Sequence, residues 1–200
     1  MEDNFLSSLR AATAGSHQRL EDITLSKALV SKNLTRDGYI TYLERLYSIF
    51  IYLEPIVFPS TQKIVHDIEQ RHRLPLLEKD LSALGRTPGT GQLQENGFPT
   101  APNASPAFAM GILYVMEGST LGGRVILKNV ADVLGYDEHS GAAYFTGYGE
   151  QTGPLWKSFV QDLLQFETGT GTGNDIIKGA NFAFDLFYSV LSQPAVQQQR

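Results

Sequence analysis

The residue best placed to hold a metal is His17, near the start of the chain. Glu21 follows it by four residues and Arg10 precedes it by seven, so the three share one helix face. A glutamate there can hydrogen-bond the imidazole nitrogen that does not bind metal, which fixes the tautomer of a metal-bound histidine. Leu6 and Leu20 lie on the same face, which predicts that it points inward. The same spacing also fits a His–Glu pair on a solvated helix surface.

Arg10 adds a second chemical possibility to this face. Seven residues span roughly 10 Å of helix, so its guanidinium could meet an acid group on the rim of a planar ligand centred on His17. The other histidines, His66, His72 and His139, stand among charged or turn residues and are predicted to be solvated. The spacing Glu69-x-x-His72 fits a di-iron carboxylate bundle, but a second such motif is absent.

The second chemically informative segment runs over residues 108–127 and has a helical apolar pattern. It nevertheless contains Gly111, Gly118, Gly122 and Gly123. Each glycine inside a helix costs roughly 0.5–1 kcal/mol relative to alanine, so something must offset four of them. Gly111, Val115, Gly118 and Gly122 project within about 60° of one another on a helix of 3.6 residues per turn, which leaves that face almost bare. The pair Gly122 and Gly123 predicts a kink.

Three explanations of this glycine face remain open at the level of sequence. A neighbouring helix could pack into the groove of small residues. A planar cofactor could instead lie against the exposed backbone. A phosphate-binding loop is disfavoured because the segment lacks GxxxxGK[ST] and follows no strand pattern.

The bulk composition narrows the class of protein. The 200 residues include no cysteine, which excludes disulfides, iron–sulfur clusters and thiolate-ligated haem. A formal net charge of −5 argues against a nucleic-acid surface. The N-terminus lacks the apolar core of a signal peptide, and no apolar run is long enough to span a bilayer. We therefore expect a cytoplasmic protein that binds neither nucleic acid nor membrane.

Helical periodicity predicts an all-α fold, with one domain covering residues 1–200. Thr35 is the expected N-cap of the second helix, which Pro55 and Pro59 should end or bend. The stretch 85–106 is rich in proline and glycine and is predicted to be a loop. The predicted helices cover residues 4–26, 35–57, 61–72, 74–85, 105–134, 152–167 and 174–193.

Taken together, the histidine segment and the glycine segment resemble the haem oxygenase family, particularly its bacterial branch. The resemblance starts at Leu9–Glu21, includes the Glu-Gly-Ser-x-Leu-Gly stretch within Tyr114–Gly123, and continues to Phe145–Gly149. It implies a single-domain helical bundle in which haem lies between a proximal and a distal helix. His17 would be the proximal iron ligand and Glu21 its hydrogen-bonding partner.

The resemblance also implies roles on the distal side and at the haem rim. Gly118 and Gly122, together with Gly123, would form the flexible distal face. Arg10 would meet one haem propionate and Tyr114 another. The chain departs from the mammalian pattern at Ser119, where that pattern has an aspartate that orders protonating waters. The catalytic residues would then be Gly118, Ser119 and Gly122. In bacterial relatives, which also lack the aspartate, backbone groups and waters take over its role.

The implied reaction is the opening of haem b to biliverdin, carbon monoxide and iron. Haem would be both substrate and cofactor, with dioxygen as co-substrate. No flavin or nicotinamide motif is present, so electrons would come from an external donor protein such as a ferredoxin or a reductase, and a bilin-accepting protein could follow. We expect a monomer. A non-catalytic haem carrier or sensor on the same fold, and a helical interaction module without ligand, are the rival hypotheses.

Overall fold

The structure is a computed structural model that describes residues 4–88 and 105–194. Within these ranges the chain forms helices and turns and no strand, as the all-α prediction requires. The predicted loop at 85–106 falls largely outside the described residues. The helices are α1 (Asn4–Glu21), α2 (Thr24–Leu29), α3 (Arg36–Thr61), a 3₁₀ turn (Ile68–Arg71), α4 (Leu74–Ala83), α5 (Pro106–Leu134), α6 (Ala143–Thr146), a second 3₁₀ turn (Gly149–Gln151), α7 (Thr152–Thr170) and α8 (Gly173–Leu191).

Helix α3 begins where the sequence predicts but ends later. The Thr35 hydroxyl accepts a 3.1 Å hydrogen bond from the Gly38 amide, which confirms the N-cap. Pro55 and Pro59 do not end α3, which continues to Thr61, so the predicted end at residue 57 is wrong. Both prolines, and the residue four before each, lie on the exposed side. A proline has no N–H to donate to the carbonyl four residues before it. At this exposed surface, that carbonyl can accept a hydrogen bond from water instead.

Two other predicted helices are shorter than expected. The helix predicted over 4–26 is broken after Glu21, because Ile23 is buried with extended backbone angles (φ −59°, ψ 136°) that no α-helix can contain. The helix predicted over 61–72 is wrong except for the 3₁₀ turn at Ile68–Arg71. There the buried Arg71 forms an ion pair with Glu117 of α5 and donates a 3.0 Å hydrogen bond to the Leu155 carbonyl of α7, so tertiary contacts of a charged group override the local helical pattern.

Helices α5 and α8 share the most extensive contact in the described structure. Where they cross, a Cβ added to Gly111 would lie 1.9 Å from the Ile176 carbonyl oxygen. On the opposite helix, a Cβ added to Gly179 would lie 2.0 Å from the Phe108 carbonyl oxygen. The two backbones therefore meet closely at a point where only glycine fits.

Helix α8 also packs against α1, so it forms a common support for α1 and α5. Its Phe184 ring makes an edge contact with His17, at 5.9 Å between ring centroids. This arrangement places α1, which carries His17, and α5, which carries the four glycines, on either side of the same cavity. Within the described ranges, no helix is both long enough and apolar enough to cross a membrane.

Candidate functional site

A cavity of about 320 Å³ lies between α1 and α5. Its volume is at the lower end of the range usual for small-molecule pockets. Most of its wall is apolar or aromatic, with a few polar side chains among these residues. The lining residues are Arg10, His17, Leu20, Tyr42, Leu46, Tyr114, Val115, Gly118, Ser119, Leu121, Ile126, Tyr144, Phe145, Trp156, Phe184 and Phe187.

His17 reaches this cavity from α1, but it is less enclosed than the inward-facing pattern predicts. Its side chain is 60% exposed, as is that of Glu21. His17 Nδ1 lies 3.7 Å from Glu21 Oε1, which is longer than a hydrogen bond. Because Nδ1 faces Glu21, Nε2 on the other side of the ring is the nitrogen available to a metal.

The four glycines of α5 divide into two kinds. Gly111 and Gly123 are buried where a Cβ would strike backbone, at Ile176 and at the Phe145 carbonyl oxygen (2.7 Å) respectively. A Cβ on Gly118 would meet only the edge of Trp156, at an ordinary 3.8 Å, and a Cβ on Gly122 would meet nothing within 4 Å. Helix packing thus accounts for the first pair and leaves the second pair unexplained by any protein neighbour.

Of these glycines, only Gly118 is among the residues that line the cavity. Gly122 is exposed one turn further along α5, and Gly123 faces the backbone of Phe145 rather than the cavity. The helix continues through both residues without interruption. The bare surface beside the cavity is therefore shorter than the sequence motif suggests.

Arg10 and Tyr114 meet at one end of the cavity, although they are far apart in sequence. Their side chains are hydrogen-bonded. Burial raises the pKa of the Tyr114 hydroxyl, and the Arg10 guanidinium partly opposes this rise. The Tyr114 ring also packs on Trp156, at 5.7 Å between centroids. A cation and a neutral hydroxyl in contact can bind a carboxylate together.

Behind Gly118, a cluster of buried charges holds α5 in place. Glu117 forms an ion pair with the fully buried Arg71, and the Tyr148 hydroxyl donates a 2.7 Å hydrogen bond to Glu117 Oε1. Burial raises the pKa of Glu117, and Arg71 and Tyr148 oppose this rise. Arg71 also donates to the Leu155 carbonyl of α7 at 3.0 Å. Glu117 and Tyr148, which the family motif includes, therefore have structural partners here.

The sequence analysis missed most of the aromatic wall. Tyr144 of the short helix α6 is the main omission, since it lines the cavity together with Ser119. Trp156 and Phe184 were also missed. No local pattern identifies them, because they come from α6, α7 and α8 and meet the α1–α5 space only in the folded chain.

The remaining histidines lie away from the cavity. His66 and His139 are 85% and 77% exposed, as their charged neighbours predict. His72 is 42% exposed, in keeping with that prediction, and its Nδ1 also lies 2.9 Å from the buried carboxylate of Glu54. In residues 4–88 and 105–194, no cluster of three or more histidines and carboxylates could hold a metal ion.

Comparison with known proteins gives the family. The heme oxygenase family profile matches residues 3–193. Heme oxygenase PigA from Pseudomonas aeruginosa is 29% identical over 186 residues, which are 92% of this chain and 90% of the relative.

Two solved structures have the same fold. The NO- and CO-bound heme oxygenase of Neisseria meningitidis gives a TM-score of 0.74 at 24% identity, covering 94% of this chain and 89% of that one. The heme complex of heme oxygenase-1 from Synechocystis gives 0.73 at 18% identity, covering 94% and 91%. The chain therefore belongs to the heme oxygenase family, the oxidoreductases that degrade haem.

Proposed function

We propose that haem binds in the cavity between α1 and α5, with His17 Nε2 as its iron ligand and the backbone of Gly118 on the opposite face. The observation that carries this proposal is that an accessible imidazole and a glycine without a packing role line the same apolar slot. The slot is open beside Gly118. Apart from the nearby backbone of α5 itself, only the edge of the Trp156 ring would lie within 4 Å of a Cβ added at this position. These residues fit a flat, mostly apolar ligand with a metal centre.

The surrounding residues have separate tasks in this arrangement. Arg10 and Tyr114 hold the carboxylates of the haem rim at one end of the cavity. Glu21, now 3.7 Å from His17 Nδ1, needs only a small side-chain movement to accept its hydrogen bond. Leu46, Phe145 and other apolar residues of the wall exclude water from the distal side.

The proposed reaction is the oxygen- and reductant-dependent opening of haem to biliverdin, carbon monoxide and iron. Bound haem supplies both the iron at which dioxygen is reduced and the ring carbon that is oxidised. Gly118 presents no side chain to the distal face, and Gly122 continues this bare surface one turn along α5, so the backbone there would leave room for a small ligand beside the haem. Electrons come from a separate donor protein such as a ferredoxin or a reductase. We further propose that the protein acts as a monomer and passes its product to a bilin-accepting partner.

A haem titration of the wild type and of His17→Ala tests the ligand assignment. His139→Ala is the matched control, because His139 is 77% exposed and lies outside the cavity lining. We expect His17→Ala alone to lose the absorption spectrum of an imidazole-ligated haem. An unchanged spectrum in that variant would remove His17 from the site.

Adding a reductant to the loaded wild-type protein tests the reaction. The Soret band should bleach, and chromatography should recover a bilin. A Soret band that persists would favour the non-catalytic carrier or sensor. Ascorbate and a ferredoxin–reductase pair should be compared, since a faster reaction with the protein donor supports an external electron partner.

A further inference from the structure

The bare surface that Gly118 presents to the cavity is covered on one side only. A Cβ added to Gly118 would lie 3.8 Å from both Cη2 and Cζ3 of Trp156. Apart from its chain neighbours and the nearby backbone of α5, no other atom of the described residues would come within 4 Å. One turn further along α5, a Cβ added to Gly122 would meet nothing within 4 Å. The surface of α5 beside the cavity is therefore blocked at the Trp156 ring and open towards Gly122.

Aromatic packing keeps the Trp156 ring in this position. The ring packs against Tyr114 of α5, at 5.7 Å between ring centroids, and against Phe159 of its own helix α7, at 5.9 Å. Phe159 is fully buried, and Trp156 itself is half-buried. A ring held between two others has few other orientations open to it, because its close-packed neighbours exclude them.

A buried arginine fixes the position of Trp156 relative to Gly118. Arg71 forms an ion pair with Glu117, the residue directly before Gly118. It also donates a 3.0 Å hydrogen bond to the carbonyl of Leu155, the residue directly before Trp156. One side chain thus ties α5 and α7 together where the tryptophan ring faces the glycine. Helix α7 can carry the ring away only by breaking the contacts of a buried charge, which is costly.

The Trp156 ring lies at a defined end of the cavity. It packs on Tyr114, to which we assign a haem carboxylate together with Arg10, and all three residues line the cavity. A small ligand at the iron, between His17 and the α5 backbone, could lean towards this end or away from it. The first direction is occupied by the indole ring, whereas the direction along α5 towards Gly122 leads past a bare backbone.

We propose that Trp156 is a specificity-determining residue, whose ring bars the small ligand from the haem edge on the Tyr114 side. Oxidation then occurs at a ring carbon on the Gly122 side. This inference rests on the proposed haem site. Trp156 transfers neither protons nor electrons and acts only by occupying space. The protein should therefore yield one predominant biliverdin isomer, and a smaller side chain at this position should allow a second.

Two substitutions reduce the ring in steps. Trp156→Phe keeps an aromatic ring against Tyr114 and Phe159 but makes it smaller, whereas Trp156→Ala removes it. Phe166→Ala is the matched control, because Phe166 is also a half-buried aromatic residue of α7 but lies outside the cavity lining. Loss of aromatic packing on α7 is thus common to both alanine variants, while loss of the ring beside Gly118 is not.

The first measurement is the chromatographic separation of the biliverdin isomers that the haem-loaded protein forms. One methylene group in an apolar pocket changes discrimination between substrates by about 10- to 200-fold. Loss of an indole ring should therefore raise the ratio of minor to major isomer at least about 10-fold in Trp156→Ala. Trp156→Phe should give a smaller increase, and Phe166→Ala should match the wild type. An unchanged isomer ratio in Trp156→Ala would overturn the proposal.

Proton NMR of the cyanide-bound ferric protein shows whether the haem itself has turned in the slot. The shifts of the haem methyl groups depend on the orientation of the haem relative to its axial imidazole. We expect the same pattern of shifts in the wild type and in Trp156→Ala, because His17 and Arg10 still hold the haem. A changed pattern together with changed isomers would overturn the proposal, since the seating of the haem would then decide the isomer.

A bulky ligand of the ferrous haem tests the same space without turnover. tert-Butyl isocyanide is wider than carbon monoxide, so the ratio of its affinity to that of carbon monoxide should rise about 10-fold in Trp156→Ala, or roughly 1.4 kcal/mol. Phe166→Ala should leave this ratio unchanged. An unchanged ratio in Trp156→Ala would show that the ring does not crowd the ligand and would overturn the proposal.

Failure of this inference can be told apart from failure of the proposed function. Wild-type protein that binds haem without consuming it would contradict the proposed function, while the isocyanide ratio would still decide whether Trp156 bars the distal space. Failure of the wild type to bind haem would contradict both.

Discussion

The hydroxyl of Tyr148 donates a 2.7 Å hydrogen bond to Glu117, the residue directly before the glycine that lines the cavity. Glu117 is 2% exposed, and its other carboxylate oxygen pairs with the fully buried Arg71. The glycine stretch of α5 is thus anchored by a charged side chain that does not line the cavity. This anchor lets the cavity side of α5 remain without side chains.

Tyr148→Phe should therefore destabilise the haem-free protein. A hydrogen bond to a buried charged group contributes about 1.5–3 kcal/mol to the free energy of unfolding, and the variant leaves one oxygen of Glu117 without that donor. Urea unfolding of the variant checks this value. Tyr47→Phe is the control and should change stability little, because its hydroxyl lies at the surface. Equal stabilities of the two variants would show that the Glu117 bond is not an anchor.

Gly111→Ala should be among the most damaging single-methyl additions in the chain. The new Cβ would lie 1.9 Å from the Ile176 carbonyl oxygen, so α5 and α8 must separate. Overpacking a rigid contact of this kind costs about 1–3 kcal/mol or more. The melting temperature of the haem-free protein should fall, and Gly15→Ala, with nothing within 4 Å, is the control that should not lower it.

The helices that carry the site follow from local signals in the sequence, whereas the enclosure of the site does not. The spacing of His17 and Glu21 and the helical apolar pattern of residues 108–127 are local patterns, and the structure contains both helices. Which glycines are bare could not be predicted, because Gly111 and Gly118 project onto the same helix face and differ only in what packs there. The residues that pack against these glycines belong to α7 and α8, so the sequence of α5 alone does not identify them.

The break at Ile23 and the irregular segment before Arg71 were missed for the same physical reason. In both places a side chain is buried by distant partners, and its burial outweighs the local helical preference. Tyr144, which lines the cavity, is a further case. Its position depends on Asp80 and Arg73, which come from a different part of the chain.

Gly118→Ala should separate haem binding from stability. Its Cβ would touch only the edge of Trp156 at 3.8 Å, so the haem-free protein should gain about 0.5–1 kcal/mol from the better helix former. Haem affinity should nevertheless fall, because the methyl group projects into the slot opposite His17. Calorimetric unfolding and haem titration of the same preparation check both effects. Gly122→Ala should give the same gain in stability with a smaller loss of affinity, since Gly122 does not line the cavity.

Arg10→Gln should weaken haem binding by removing the charge that we propose meets a haem propionate. We expect a loss of about 10-fold, which corresponds to roughly 1.4 kcal/mol, because Arg10 is exposed and its charge is screened by solvent. Haem dimethyl ester, whose propionates are neutral, provides the matched probe. The substitution should leave the affinity for the ester nearly unchanged, and added salt should weaken haem binding more in the wild type than in the variant. An equal loss of affinity for haem and for its ester would show that Arg10 acts on the shape of the cavity, through Tyr114, rather than on a carboxylate.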